Sequence, residues 1–187
     1  ARLGKVPHVV QEQNSFPGAS TGIALSQYIA AMPVLRNARA VPNPVNLRFG
    51  SSLRLVGFDA PAQMESGARG IVKLFFQLDQ PVGEDYGVSL RVVDNAGAVW
   101  GQWDAVPVGS IVGTSTWIPR TIFIHTHDLP IAVGARPGNY QILITIYRAS
   151  TSRVIDAEKL TDLAITRPRA PLDPAALRAT TRLDRTI

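Results

Sequence analysis

The chain has 187 residues, 45% of them apolar and 18% charged, a balance that suits one compact globular domain and excludes a disordered polymer. It has no cysteine, which excludes disulfides, thiolate metal sites and a cysteine nucleophile. No apolar run of about 18 residues occurs, so no membrane-spanning helix is expected, and the net charge of +5 is concentrated towards the two ends.

Residues 1–19 hold no period and contain Pro7, Pro17 and Gly18, and they read as an extended arm. With Ala1 in first place, a processed chain or a piece of a longer one is expected. Ser20 is placed to cap a short helix in which Leu25, Tyr28, Ile29 and Met32 share a face, and Pro33 ends it. Val41-Pro42-Asn43-Pro44 is a linker. The expected division is therefore an N-terminal arm over 1–44, a β-domain over 45–166 and a basic, proline-rich tail over 167–187. In the tail, Asp173-Pro174 is a helix start signal for 175–183.

Within the β-domain, two strands over 45–49 and 53–59 are joined by Gly50-Ser51-Ser52, and 61–70 reads as a loop. The strand over 71–79 puts Val72, Leu74, Phe76 and Leu78 on one face and Lys73 and Gln77 on the other. In 86–103, Val88, Leu90 and Val92 alternate with Ser89 and Arg91. Asp94-Asn95-Ala96-Gly97 then breaks the run and a second extended segment follows, the pattern of a hairpin that we place at the centre of the fold. A connection with Pro107, Gly109 and Gly113 leads to a strand opening at Ile118 or Thr121, where Ile122 and Ile124 oppose Phe123 and His125. After a loop over 130–138, the run over 139–148 sets Tyr140, Ile142, Ile144 and Ile146 on one face. Two short strands over 153–155 and 160–165 complete the set. Roughly eight or nine strands with turn signals between them predict an all-β, two-sheet antiparallel sandwich, Ig-like or jelly-roll-like.

Motifs that carry chemistry are few. Gly18-Ala19-Ser20-Thr21-Gly22 has the spacing of a nucleophile elbow, but no buried strand precedes it, so Ser20 reads as a helix cap. His125-Thr126-His127-Asp128 is the one local set of metal-ligand types, since residues two apart on a strand share a face. A hydrolytic site there needs further ligands, and the pair reads as partly exposed residues at a strand end, with Asp128 shaping a turn. Glu84 and Asp85 point opposite ways on an extended chain and read as a solvated turn. Asp94-Asn95-Ala96-Gly97 lacks the alternating acids of a calcium loop. Neither a cofactor nor a metal is expected. Trp100, Trp103 and Trp117 are the candidate platform for stacking a glycan. Arg2, Lys5, Arg36, Arg39, Arg167, Arg169 and Arg178 are the candidate contacts to an acidic partner protein or to anionic lipid headgroups. No aromatics are interleaved with them, which argues against nucleic acid.

Several segments resemble a recurrent domain. Leu53-Arg54-Leu55-Val56-Gly57-Phe58-Asp59, Leu74-Phe75-Phe76-Gln77, Glu84-Asp85-Tyr86, Val92-Val93-Asp94, Pro107-Val108-Gly109, Thr114-Ser115-Thr116-Trp117-Ile118-Pro119 and Pro137-Gly138-Asn139-Tyr140 occur in its order. The pattern resembles the C-terminal extracytoplasmic β-sandwich of bacterial membrane glycosyltransferases of the dolichyl-phosphate-mannose protein mannosyltransferase type. The chain departs from it at Phe76, where Trp is usual, at Arg120, where Gly is usual, and at Arg148, where Asp is usual. The resemblance implies a β-sandwich at the periplasmic face or cell surface and carries over no catalytic residue, because catalysis in that class belongs to the membrane-embedded part. The expected function is a non-catalytic accessory or interaction domain of a membrane-associated assembly. A carbohydrate-binding module and a metal-dependent hydrolase at His125/His127 are the alternatives.

Overall fold

The computed structural model describes residues 34–35, 40–105 and 113–169. The expected helices over 20–32 and 175–183, and Arg2, Lys5, Arg36, Arg39 and Arg178, lie outside these residues. The strands are β1 (Val34–Leu35), β2 (Pro44–Phe49), β3 (Leu53–Asp59), β4 (Gln63–Glu65), β5 (Arg69–Leu78), β6 (Tyr86–Val93), β7 (Val99–Ala105), β8 (Ile122–Pro130), β9 (Gly138–Arg148) and β10 (Val154–Thr166).

They form two five-stranded sheets packed as a sandwich, in the orders β1-β8-β5-β3-β2 and β4-β10-β9-β6-β7. Every pairing is antiparallel except that of β4 with β10. Period-two alternation decides which side of each strand goes in. Val72, Leu74, Phe76 and Leu78 of β5 face Val88, Leu90 and Val92 of β6 and Ile142, Ile144 and Ile146 of β9 across one continuous core. Leu74, Leu90, Ile142, Ile144 and Ile146 are fully shielded from solvent, each contributing roughly 1.5–3 kcal/mol of apolar burial.

Four local expectations change. The 86–103 hairpin forms as β6–β7, but only β6 is interior, and β7 is the edge of its sheet. The 61–70 segment contains β4, whose parallel partner lies about a hundred residues away and leaves no local signature. The two short C-terminal strands are one strand, β10, bent by two register shifts against β9. β8 runs on to Pro130, so Asp128 lies within a strand and donates no turn; its carboxylate accepts the Arg69 Nε–H at 2.7 Å.

A second, smaller cluster lies on the outer face of the first sheet, where Val41 packs with Phe75 and Ile122. The segment before 45 thus contributes both β1, paired to β8, and Val41 to the sandwich.

The Thr114–Thr116 turn is tied to the 84–86 turn. Thr114 Oγ accepts the Tyr86 N–H at 2.9 Å and donates to the Glu84 carbonyl at 3.1 Å, while Asp85 Oδ1 accepts the Ser115 N–H at 2.9 Å. Asp85, read as a solvated turn residue, is instead half-buried and fixes this corner. Glu84 pairs with Arg148 at 3.3 Å. The corner delivers Trp117 into the core beside β8.

Candidate functional site

The flank where β7 of one sheet meets β8 of the other carries the molecule's unusual chemistry. Gly101 makes the approach possible: a Cβ there would lie 2.3 Å from the Pro130 carbonyl oxygen, so no side chain fits. The Ala132 N–H donates to the Trp100 carbonyl at 2.6 Å and ties the chain beyond β8 to the edge of β7.

A shallow groove of about 310 Å³ opens along this seam, walled by 99–102 on one side and 130–132 on the other. Trp100 is half-buried in it. Its Nε1–H donates to Asp94 Oδ2 at 2.8 Å, and Asp94 Oδ1 accepts the N–H groups of Ala96 and Ala98, both at 2.9 Å. The turn closes through Gly97 at φ +81°, in the left-handed region. The Trp100 hydrogen bond first, and then the backbone N–H groups, hold the Asp94 carboxyl below its ordinary pKa. The indole is therefore oriented before any ligand arrives. Gln102 Nε2 donates to Asp104 Oδ2 along the same strand.

Behind the groove, inside the sandwich, lie His125 and His127. Alternation along β8 puts Phe123, His125, His127 and Leu129 on the buried side, and the two histidines are only 4% and 1% exposed. They are in the middle of a strand, not the partly exposed strand end expected of them. Trp103 packs edge-on to His127 with centroids 4.2 Å apart, Trp117 lies 5.5 Å from His125, and Phe76 meets His125 edge-on at 5.8 Å. The imidazole centroids are 5.7 Å apart. Desolvation lowers the pKa of His125 to about 4, and desolvation followed by the neighbouring His125 lowers that of His127 to about 3. Both rings are neutral at pH 7.

Six buried side-chain nitrogen or oxygen atoms lack a hydrogen-bond partner among the described residues, and four are here: Trp117 Nε1, His125 Nε2 and both nitrogens of His127. Each such atom costs about 1–3 kcal/mol.

The three candidate tryptophans thus separate. Trp117 is 4% exposed and stacks on Phe123 at 4.4 Å, so it belongs to the core and offers no ligand platform. Trp103 is half-buried against His127, and Trp100 alone lines the groove. For the alternative of a hydrolytic metal site, no group of three His, Cys, Asp or Glu side chains among the described residues is placed to hold a metal, and the buried pair is closed to a substrate. Of the basic candidates, Arg167 and Arg169 are exposed just beyond β10. Arg169 Nε lies 3.4 Å from Glu65 Oε1, and the Arg169 backbone N–H donates to Glu65 Oε2 at 3.1 Å. The burial of the histidines was signalled by the i, i+2 continuation from Phe123 to Leu129. The groove had no sequence signal, because it depends on the pairing of Gly101 with Pro130.

The sequence matches no protein-family model, and no curated protein matches it. Among solved structures it is similar to the C-terminal domain of Wzt, with 8% identity over 67% of this chain and 83% of that one at a TM-score of 0.47. It is also similar to a Niemann-Pick type C2 protein from Japanese carpenter ant, with 7% identity over 65% and 98% at 0.44. A CARDB domain from Pyrococcus furiosus in complex with di-metal ions gives 15% identity over 65% and 95% at 0.39. At such identities and scores no activity transfers, and the functional reading rests on the geometry of this chain.

Proposed function

We propose that this chain is a non-catalytic recognition domain, an accessory module of a membrane-associated assembly on the extracytoplasmic side of a bacterial membrane, and that it meets its ligand at the groove between β7 and the end of β8. The observation that carries the reading is Trp100, an indole locked by Asp94 against an otherwise apolar groove. A fixed, partly exposed ring flanked by a carboxylate and an amide suits the apolar face and peripheral hydroxyls of a pyranose, so a glycan is the ligand class we favour. The groove is at the small end for ligand sites, which sets the expectation of one sugar unit bound at about millimolar affinity. The setting follows the resemblance noted in the sequence. Exposed Arg167 and Arg169 support contact with an acidic partner protein or with lipid headgroups.

Titration of tryptophan fluorescence with neutral hexopyranosides tests the ligand. Saturable quenching at millimolar sugar is expected, lost in Trp100→Ala and retained in Trp103→Phe. Absence of quenching removes the glycan. Light scattering on native material with identification of co-purifying proteins tests the assembly separately: a defined larger complex is expected, and a clean monomer argues against an accessory subunit.

A further inference from the structure

We propose that His125 and His127 form a two-coordinate site for a soft monovalent metal ion of the copper(I) class. The site is distinct from the Trp100 groove.

The first argument is polar accounting. A folded interior seldom leaves side-chain nitrogens unpartnered, yet His125 Nε2 and both nitrogens of His127 have no hydrogen-bond partner among the described residues, at 4% and 1% exposure. Unpaired ring nitrogens, each neutral ring offering one acceptor, gathered in one dry place are what a ligand site looks like when only the protein is considered. The second argument is distance. Two imidazole nitrogens bonded to one ion at about 2.0 Å set the ring centres about 6.3 Å apart when in line and closer when bent, and these centres are 5.7 Å apart with the rings inclined at 43°, within reach of one shared ion in a bent arrangement.

The donor set then selects the ion. Both ligands are neutral nitrogens, and no third His, Cys, Asp or Glu joins them among the described residues. Zinc takes four ligands in a structural site and three plus water in a catalytic one. Calcium and magnesium need six or more oxygens. Divalent copper prefers a tetragonal set of four. A monovalent d10 ion is content with two nitrogen ligands, and imidazole suits copper. The surroundings are apolar: Trp103 lies 4.2 Å from His127, and Trp117 and Phe76 pack around His125, so the pair is shielded from water. Trp103, half-buried on edge strand β7, packs edge-on against His127.

Silver(I) is the air-stable probe. The full chain, in chloride-free buffer, is titrated with silver(I) while tryptophan fluorescence and heat are followed. One equivalent is expected to bind at micromolar concentration, with quenching and a higher melting temperature. His125→Leu and His127→Leu, which preserve volume in the core, are expected to weaken binding about 100-fold, whereas His8→Ala leaves it unchanged. Should either leucine variant fail to fold, imidazole 15N resonances of the wild-type chain give the same answer: those of His125 and His127 move on one equivalent of silver(I), and those of His8 do not. The proposal is overturned by no stoichiometric binding, by binding that survives both leucine substitutions, by shifts confined to His8, or by zinc(II) competing on equal terms.

Discussion

Burial holds His125 at a pKa of about 4 and His127 at about 3, against 6.5 for a free imidazole. The folded state therefore binds fewer protons than the unfolded chain between those values. The stability associated with the two rings is complete above about pH 6.5, falls as the pH drops through the window, and levels off below about 3. The aromatic rings packed on the pair among the described residues are Trp103, Trp117 and Phe76, none of which titrates there. Between pH 6.5 and 5 each ring should cost the fold about 2 kcal/mol. Urea unfolding at pH 7 and pH 5 measures this, and a His125→Leu/His127→Leu double variant should show a much flatter dependence. An equally steep loss in that variant would place the proton uptake elsewhere. Trp117 provides a contrast at the same depth. Stacked on Phe123 and enclosed, its truncation to alanine should cost about 3–5 kcal/mol, while Trp117→Phe, which removes an unpartnered N–H, should cost far less in the same assay.

Where strands meet, the decisive positions are those that admit nothing larger than hydrogen. A methyl group on Gly101 collides with the Pro130 backbone, whereas one on Gly83 meets no atom within 4 Å. Gly101→Ala should therefore separate β7 from β8, destabilise by about 1–3 kcal/mol and abolish ligand quenching at Trp100, with Gly83→Ala close to neutral by urea denaturation. Equal midpoints for the two variants would mean that the seam is soft. This dependence on cross-strand placement also explains what the sequence disclosed. The inward faces of β5, β6 and β9 were legible residue by residue, because alternation is a local property. The extent of β8 was not, since Asp128-Leu129-Pro130 looks like a turn until its pairing with Arg69 and Gly70 on β5 is known. β4 was hidden because its three residues are held by a parallel partner far along the chain. The tryptophans were visible as candidates, but their separation into core, seam and groove depends on which sheet edge β7 forms, and composition does not carry that information.

At the scale of the whole molecule, the described segments up to Phe49 hold both margins of one sheet. In the order β1-β8-β5-β3-β2, the first two strands occupy opposite edges of one sheet, and Val41 packs on the outer face between them. A chain beginning at Pro44 lacks that cover and bares Phe75 and Ile122, which are 5% and 3% exposed. It should lose roughly 2–4 kcal/mol and self-associate, as read by urea denaturation and light scattering; unchanged behaviour would mean that the satellite cluster contributes nothing to folding. The same arrangement sets how the domain bears load. β1 meets β8 through two residues, while β10 runs 13 residues between β9 and β4 in the other sheet. Pulled between Val34 and Thr166, the described body is gripped in shear along β10 but only clasped at β1. Tension transmitted along the chain would peel the N-terminal clasp first, lengthening the tether while the sandwich and its flank stay closed.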